Sequence, residues 1–143
     1  MNEKSTRQLL ELMKNKTNYD EYLSETQKDL GHGNMKLNRA LQALLSEKAL
    51  SRSAVIAKSG IENHYAYQIF NGTKTPTRDK VLMLCIGFSL SVEETQKLLQ
   101  VTGYAQLYAK DERDNAILFS ITHRKNIIDI NALLYELGLP LLQ

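Results

Sequence analysis

Residues 50–72 read Leu50-Ser51-Arg52-Ser53-Ala54-Val55-Ile56-Ala57-Lys58-Ser59-Gly60-Ile61-Glu62-Asn63-His64-Tyr65-Ala66-Tyr67-Gln68-Ile69-Phe70-Asn71-Gly72. Ser51 is a small polar residue of the kind that caps a helix start. Val55 and Ile56 give a short buried face, and Gly60 is free to take the positive φ of a turn. A second helix is expected from about Glu62 to Phe70, stopped by Asn71-Gly72. Along it Ile61, Tyr65, Ala66, Ile69 and Phe70 fall at i, i+4, i+5, i+8 and i+9 and form one apolar face. Asn63, His64, Tyr67, Gln68 and Asn71 share the same spacing and form the opposite face, made of amides, an imidazole and a phenol.

Working outward, Leu37, Leu41, Leu44 and Leu45 mark an amphipathic helix that ends at Ala49-Leu50-Ser51. Thr73-Lys74-Thr75-Pro76 is a short loop. Upstream, Ser5-Thr6-Arg7-Gln8 has the form of a capping box, followed by Leu9, Leu10, Leu12 and Met13. Asn18-Tyr19-Asp20-Glu21 offers another helix start, with Tyr22, Leu23 and Leu30 as its apolar residues. Residues 1–30 are therefore expected to form two helices, and Gly31-His32-Gly33-Asn34 a junction.

Downstream, the chain repeats itself. Arg78 through Tyr104 aligns without gaps on Arg113 through Leu139, at a constant offset of 35 residues. Arg78/Arg113, Asp79/Asp114, Ile86/Ile121, Leu98/Leu133, Leu99/Leu134 and Gly103/Gly138 are identical. Leu82/Ile117, Leu84/Phe119 and Val92/Ile127 are apolar in both. Each unit reads as a helical hairpin ended by glycine. Ser91-x-x-Glu94 is a capping box for the second helix of the first unit, and Asn126 takes the capping position in the second. Stacking the hairpins would bury Leu98, Leu99, Leu133 and Leu134. Each Asp of the Arg-Asp pairs favours the first turn of its helix, with its Arg expected to pair locally. The functional alternative has Arg78 touching a nucleic acid and Arg113 a partner protein. Tyr104, Leu107 and Tyr108 are expected to pack between the hairpins.

The 143 residues are 43% apolar and 24% charged, which excludes a disordered chain. Apolar runs such as Val81–Ile86 fall far short of the ~20 residues of a membrane span. The opening Met1-Asn2-Glu3-Lys4-Ser5 lacks the apolar run of a secretory signal, so a soluble, cytoplasmic protein with no membrane partner is expected. Charge is uneven: residues 1–33 carry net −1, residues 34–80 net +5 and residues 81–143 net −2. A basic middle third is the electrostatic footprint of nucleic-acid binding, or else a solvated Lys/Arg face.

The 50–72 segment resembles the helix-turn-helix of the Xre/Cro family, whose fold is that of lambda repressor. Ser51, Arg52, Val55, Ile56, Gly60, Ile61, Ile69 and Gly72 fall on the family's pattern without a gap, and Pro76 falls where a proline often follows it. The resemblance covers residues 36–90 or a little further. It implies a recognition helix lying in the major groove of double-stranded DNA, its N-terminal residues nearest the base edges. Asn and Gln pair bidentately with adenine there. Carried over from the family, Asn63, His64 and Gln68, with Tyr67 beside them, are the base-reading residues. Ser51, Arg52, Asn71 and Lys74 would hold phosphates, and Lys58 and Lys80 would add long-range charge.

Other chemistry has little footing. His32, His64 and His123 lack the spacing of metal ligands, so no metal is expected. Gly31-His32-Gly33 lacks the Lys and Ser/Thr of a phosphate loop. Cys85, the one cysteine, sits in an apolar run and reads as a small buried hydrophobe. No carboxylate pair is placed for acid–base work, so neither an enzyme nor a cofactor is expected.

The expected fold is all-α. It comprises an N-terminal helical extension over residues 1–33, a five-helix DNA-binding domain over 34–103 and a C-terminal helical hairpin over 104–143. The expected function is that of a bacterial-type transcriptional regulator. Dimerisation on palindromic sites is implied by the resemblance, with the tail Leu133-Leu134 through Leu139-Pro140-Leu141-Leu142 as a surface for self-association or as part of the monomer's core. The alternative is a protein-interaction adaptor built on the same scaffold, docking a partner through its N- and C-terminal helices. That alternative is favoured by the absence of Lys and Arg between Ser59 and Thr73.

Overall fold

A computed structural model describes residues 35–143, which form seven α-helices and no strand. The two helices expected over residues 1–30, and the junction after them, lie outside the described residues. The protein is all-α, in order α1 (Leu37–Lys48), α2 (Arg52–Ser59), α3 (Asn63–Phe70), α4 (Arg78–Gly87), α5 (Val92–Val101), α6 (Glu112–Thr122) and α7 (Ile127–Glu136). None of these helices is long and apolar enough to cross a membrane.

The helix boundaries follow from local chemistry. Ala49 takes a left-handed conformation at φ 52 after α1, and Leu50 N closes the end by donating to Leu45 O. Thr77, Ser91, Asp111 and Asn126 cap α4 to α7, each accepting from the backbone N–H three residues on. At α5 the cap is reciprocal, because Ser91 N also donates to the Glu94 carboxylate at 2.9 Å. That carboxylate additionally receives Lys48 Nζ at 2.7 Å, tying the end of α1 to the start of α5.

The core runs continuously from α1 to α7, with Leu41, Val55, Ile56, Ile69, Phe70, Leu82, Leu84, Leu99, Ile117, Ile130 and Leu134 all fully buried. Its tightest crossing is α2 on α4. A Cβ added to Gly87 would stand 2.5 Å from the Val55 carbonyl oxygen and 3.2 Å from Ser59 Cβ. Only a residue without a side chain lets the two backbones approach so closely.

The offset of 35 residues recurs in the structure. Ser89 and Arg124 are both left-handed, at φ 57 and 56, as are Gly103 and Gly138 at 87 and 71. Gln96 exchanges two hydrogen bonds with the backbone of Leu107, and Asn131 does the same with Leu142. The two hairpins face each other about a local pseudo-twofold, α4 against α7 and α5 against α6.

Here the expected local Arg-Asp pairing gives way to a crossed one. Arg78 donates Nη1 and Nη2 to Asp114 at 3.0 and 2.7 Å, while Arg113 donates the same pair to Asp79 at 2.9 and 2.8 Å. Adjacent residues at a helix start point in different directions, so neither Arg shares a fork with its neighbour's carboxylate. Each guanidinium also caps the chain leaving its own hairpin, Arg78 at Ala105 O and Gln106 O, Arg113 at Pro140 O and Leu141 O. With four of its five N–H donors engaged, each guanidinium is committed to the seam between the hairpins, which favours the structural reading of Arg78 and Arg113 over a nucleic-acid or partner contact.

The units differ where α2 lies on the first. Leu84 and Phe88 are buried beneath it, while their counterparts Phe119 and His123 are exposed with ring centroids 4.4 Å apart. Tyr104 is half-buried, its hydroxyl donating to Pro76 O at 2.6 Å, and Leu107 is buried. Tyr108, expected to pack between the hairpins, is 60% exposed; its backbone N–H is what the fold uses, donating to Asp114 at 2.9 Å.

Two outcomes are expected. Gly87→Ala forces the α2 and α4 backbones apart and lowers unfolding free energy by about 1–3 kcal/mol in urea titration, with little change in the slope. Burial pushes the Asp114 carboxyl up, but the Arg78 fork and the Tyr108 N–H outweigh it and hold the carboxyl below its ordinary value. Its stabilisation is therefore complete above the unfolded carboxyl value of roughly 3.9 and is lost as pH falls through the lower folded value. Asp114→Asn should cost about 1–3 kcal/mol at pH 7 and flatten the loss of thermal stability below about pH 4, read by circular dichroism melts.

Candidate nucleic-acid interface

Ser51 Oγ accepts from Ala54 N at 3.2 Å and starts α2 with Arg52 as its first residue. Gly60, at φ 76, turns the chain. The turn is pinned by Ser59, a residue without an evident role in the sequence. Buried completely, its hydroxyl donates to Ile56 O at 2.7 Å and accepts from Ile61 N at 3.1 Å. A serine beside a glycine reads as turn composition, and only the fold shows the hydroxyl turned inward.

Glu62 opens α3. Its carboxylate accepts from Tyr65 N at 2.8 Å and from His64 N at 2.9 Å. Those two N–H groups hold the carboxyl below its usual value. The negative charge sits where the helix dipole favours it and is committed to the helix's own backbone.

Ile61, Ala66, Ile69 and Phe70 are buried and Tyr65 is half-buried, so the apolar face of α3 points into the core. Asn63, His64, Tyr67 and Asn71 are exposed and Gln68 is half-buried, leaving the amide-rich face outward. At the far end, Gln68 O accepts from Thr73 N at 2.9 Å and Lys74 N at 3.1 Å, which folds the loop back beside α3. Asn71 Oδ1 accepts from Thr73 N at 2.9 Å, so its amide NH2 is the part left for a ligand. Gly72, at φ 84, lies against Asn38 of α1; a Cβ there would stand 3.0 Å from Asn38 Nδ2.

No cation belongs to α3, but neighbouring helices bring two to its rings. Arg52 Cζ lies 5.1 Å from the Tyr67 ring centroid, and Lys80 Nζ lies 5.6 Å from that of Tyr65. Lys36 and Lys74 line one cleft with Asn38 and Tyr104, which adds a cation that the sequence did not single out. Lys58 stands exposed in the last turn of α2, about 9 Å along the axis from Arg52 at 1.5 Å per residue. Of the ten residues singled out, Arg52 and Tyr67 meet directly, Asn71 and Lys74 share the end of α3, and Lys58 stands apart.

Burial pushes the Cys85 thiol up to about 12, so it stays protonated and unreactive near neutral pH. Among the described residues no group of three or more His, Cys, Asp or Glu gathers to hold a metal ion. Compared with models of known families, with curated proteins and with solved structures, the chain matches none.

Removing the Glu62 cap should loosen α3. Glu62→Ala is expected to lower the thermal midpoint at pH 7, with the difference from wild type shrinking as pH falls through the lowered Glu62 value, because protonation removes the same interaction.

Proposed function

We propose that this protein binds double-stranded DNA sequence-specifically and acts as a transcriptional regulator of the Xre/Cro kind, with α3 seated in the major groove. The observation that carries the reading is the outward face of α3. It presents Asn63, His64, Tyr67 and Gln68, and Ser51, Arg52, Asn71 and Lys74 stand at the ends and flank of the same helix pair. An eight-residue helix with its apolar face in the core, amides outward and cations at its rim suits the groove. Amides match adenine, and the cations meet the phosphates on either side. Dimerisation on a palindromic site goes with this reading.

A second reading, a protein-interaction adaptor, draws on the second hairpin. Ile128 and Tyr135 of α7 are 76% and 78% exposed, an apolar pair available to a protein partner.

Selection from a random duplex pool at two salt concentrations separates the two. The DNA reading expects an enriched motif whose affinity falls steeply with salt; a pool without enrichment favours the adaptor. Within the DNA reading, Asn63→Ala or Gln68→Ala should flatten preference at one base pair, by about 1–3 kcal/mol. Lys74→Ala should weaken all sequences alike and reduce the salt slope by about one. Unchanged preference in both amide variants would remove α3 from the readout.

A further inference from the structure

Tyr67 is the ring on the outward face of α3, in the middle of the stripe Asn63–Tyr67–Asn71, and it is 37% exposed. Arg52 leans across from the start of α2 and places its guanidinium carbon over that ring, 5.1 Å from the centroid. A cation–ring contact of this kind uses the positive charge and consumes none of the guanidinium's five N–H donors. Those donors make no hydrogen bond or ion pair with another described residue. Glu62, the acid that opens α3, spends its carboxylate on His64 N and Tyr65 N.

The amides of Asn63 and Gln68 suit adenine, which offers one donor and one acceptor in the major groove. Guanine offers two acceptors there, O6 and N7, and calls for a paired donor. Arg52 is the group that brings such a donor to this face. We propose that Arg52 reads a guanine through O6 and N7, with the Tyr67 ring as the shelf that orients its guanidinium. Tyr67 is then a positioning residue. The assignment replaces the phosphate role expected of Arg52 and rests on α3 entering the groove; it adds a guanine beside the bases met by Asn63 and Gln68.

Random-pool selection with the full chain, repeated for Arg52→Lys, Tyr67→Leu and Tyr67→Phe, tests it. Arg52 and Tyr67 are both exposed, so the variants should fold, and a melt confirms that they do. The expected result is a wild-type motif with one guanine position whose preference drops roughly five- to hundredfold in Arg52→Lys, the range of one bidentate pair. Tyr67→Leu should weaken the same position, and Tyr67→Phe, which keeps the ring, should restore it. A wild-type motif that survives Arg52→Lys unchanged, or loses affinity equally for every sequence, overturns the guanine assignment and returns Arg52 to the phosphates. A wild-type pool with no motif overturns the DNA reading itself, and this assignment with it.

Discussion

The Val55 carbonyl rests against α4 at Gly87, and the placement of everything on the α2 side follows from that approach. A side chain at Gly87 would meet the carbonyl oxygen at 2.5 Å, so the closeness of α2 to α4 is set by the missing Cβ. Once α2 is seated, Ser59 is buried in the crossing and its hydroxyl bridges Ile56 O and Ile61 N, which fixes how the chain leaves α2. Gly60 turns it, Glu62 starts α3, and Phe70 reaches Phe88 across the core with ring centroids 6.3 Å apart. The outward direction of Asn63 and Tyr67 is thus decided some distance away, by a glycine that faces no ligand.

The second hairpin supports this arrangement from the other side. Ile127 of α7 packs 3.4 Å from where a Gly60 Cβ would stand, with the Met83 methyl at 3.7 Å. The turn that aims α3 is therefore backed by the start of the last helix.

Local signals carried well from sequence to structure, and long-range partners did not. The start of α2 at Ser51, the turn at Gly60, the end of α3 before Asn71-Gly72 and the two faces of α3 follow from capping chemistry and the 3.6-residue period, which act over a few residues. The repeat was visible as an offset, and with it the capping roles of Ser91 and Asn126. Which carboxylate each arginine meets was not visible, because Asp79 is adjacent to Arg78 in the chain while Asp114 is adjacent only in the fold. Leu84 and Phe119 look alike in the sequence, yet only Leu84 is covered, since α2 lies on one hairpin and not on the other. For the same reason the contact of Arg52 with the Tyr67 ring was not legible in the sequence: Tyr67 lies fifteen positions after Arg52, and no periodicity links them.

The crossed pairing of Arg78 with Asp114 and of Arg113 with Asp79 has the form of an isologous interface closed inside a single chain. Each half presents the same donor and the same acceptor, so the seam carries its strongest polar contacts in duplicate. Loss of one partner leaves the other fork intact and still bidentate, and the hairpins remain registered by the surviving copy. Redundancy of this kind lets one half drift in sequence while the other holds the register. The two hairpins differ on the far side, where Thr122 stands at the position of Gly87 and Phe119 and His123 are exposed.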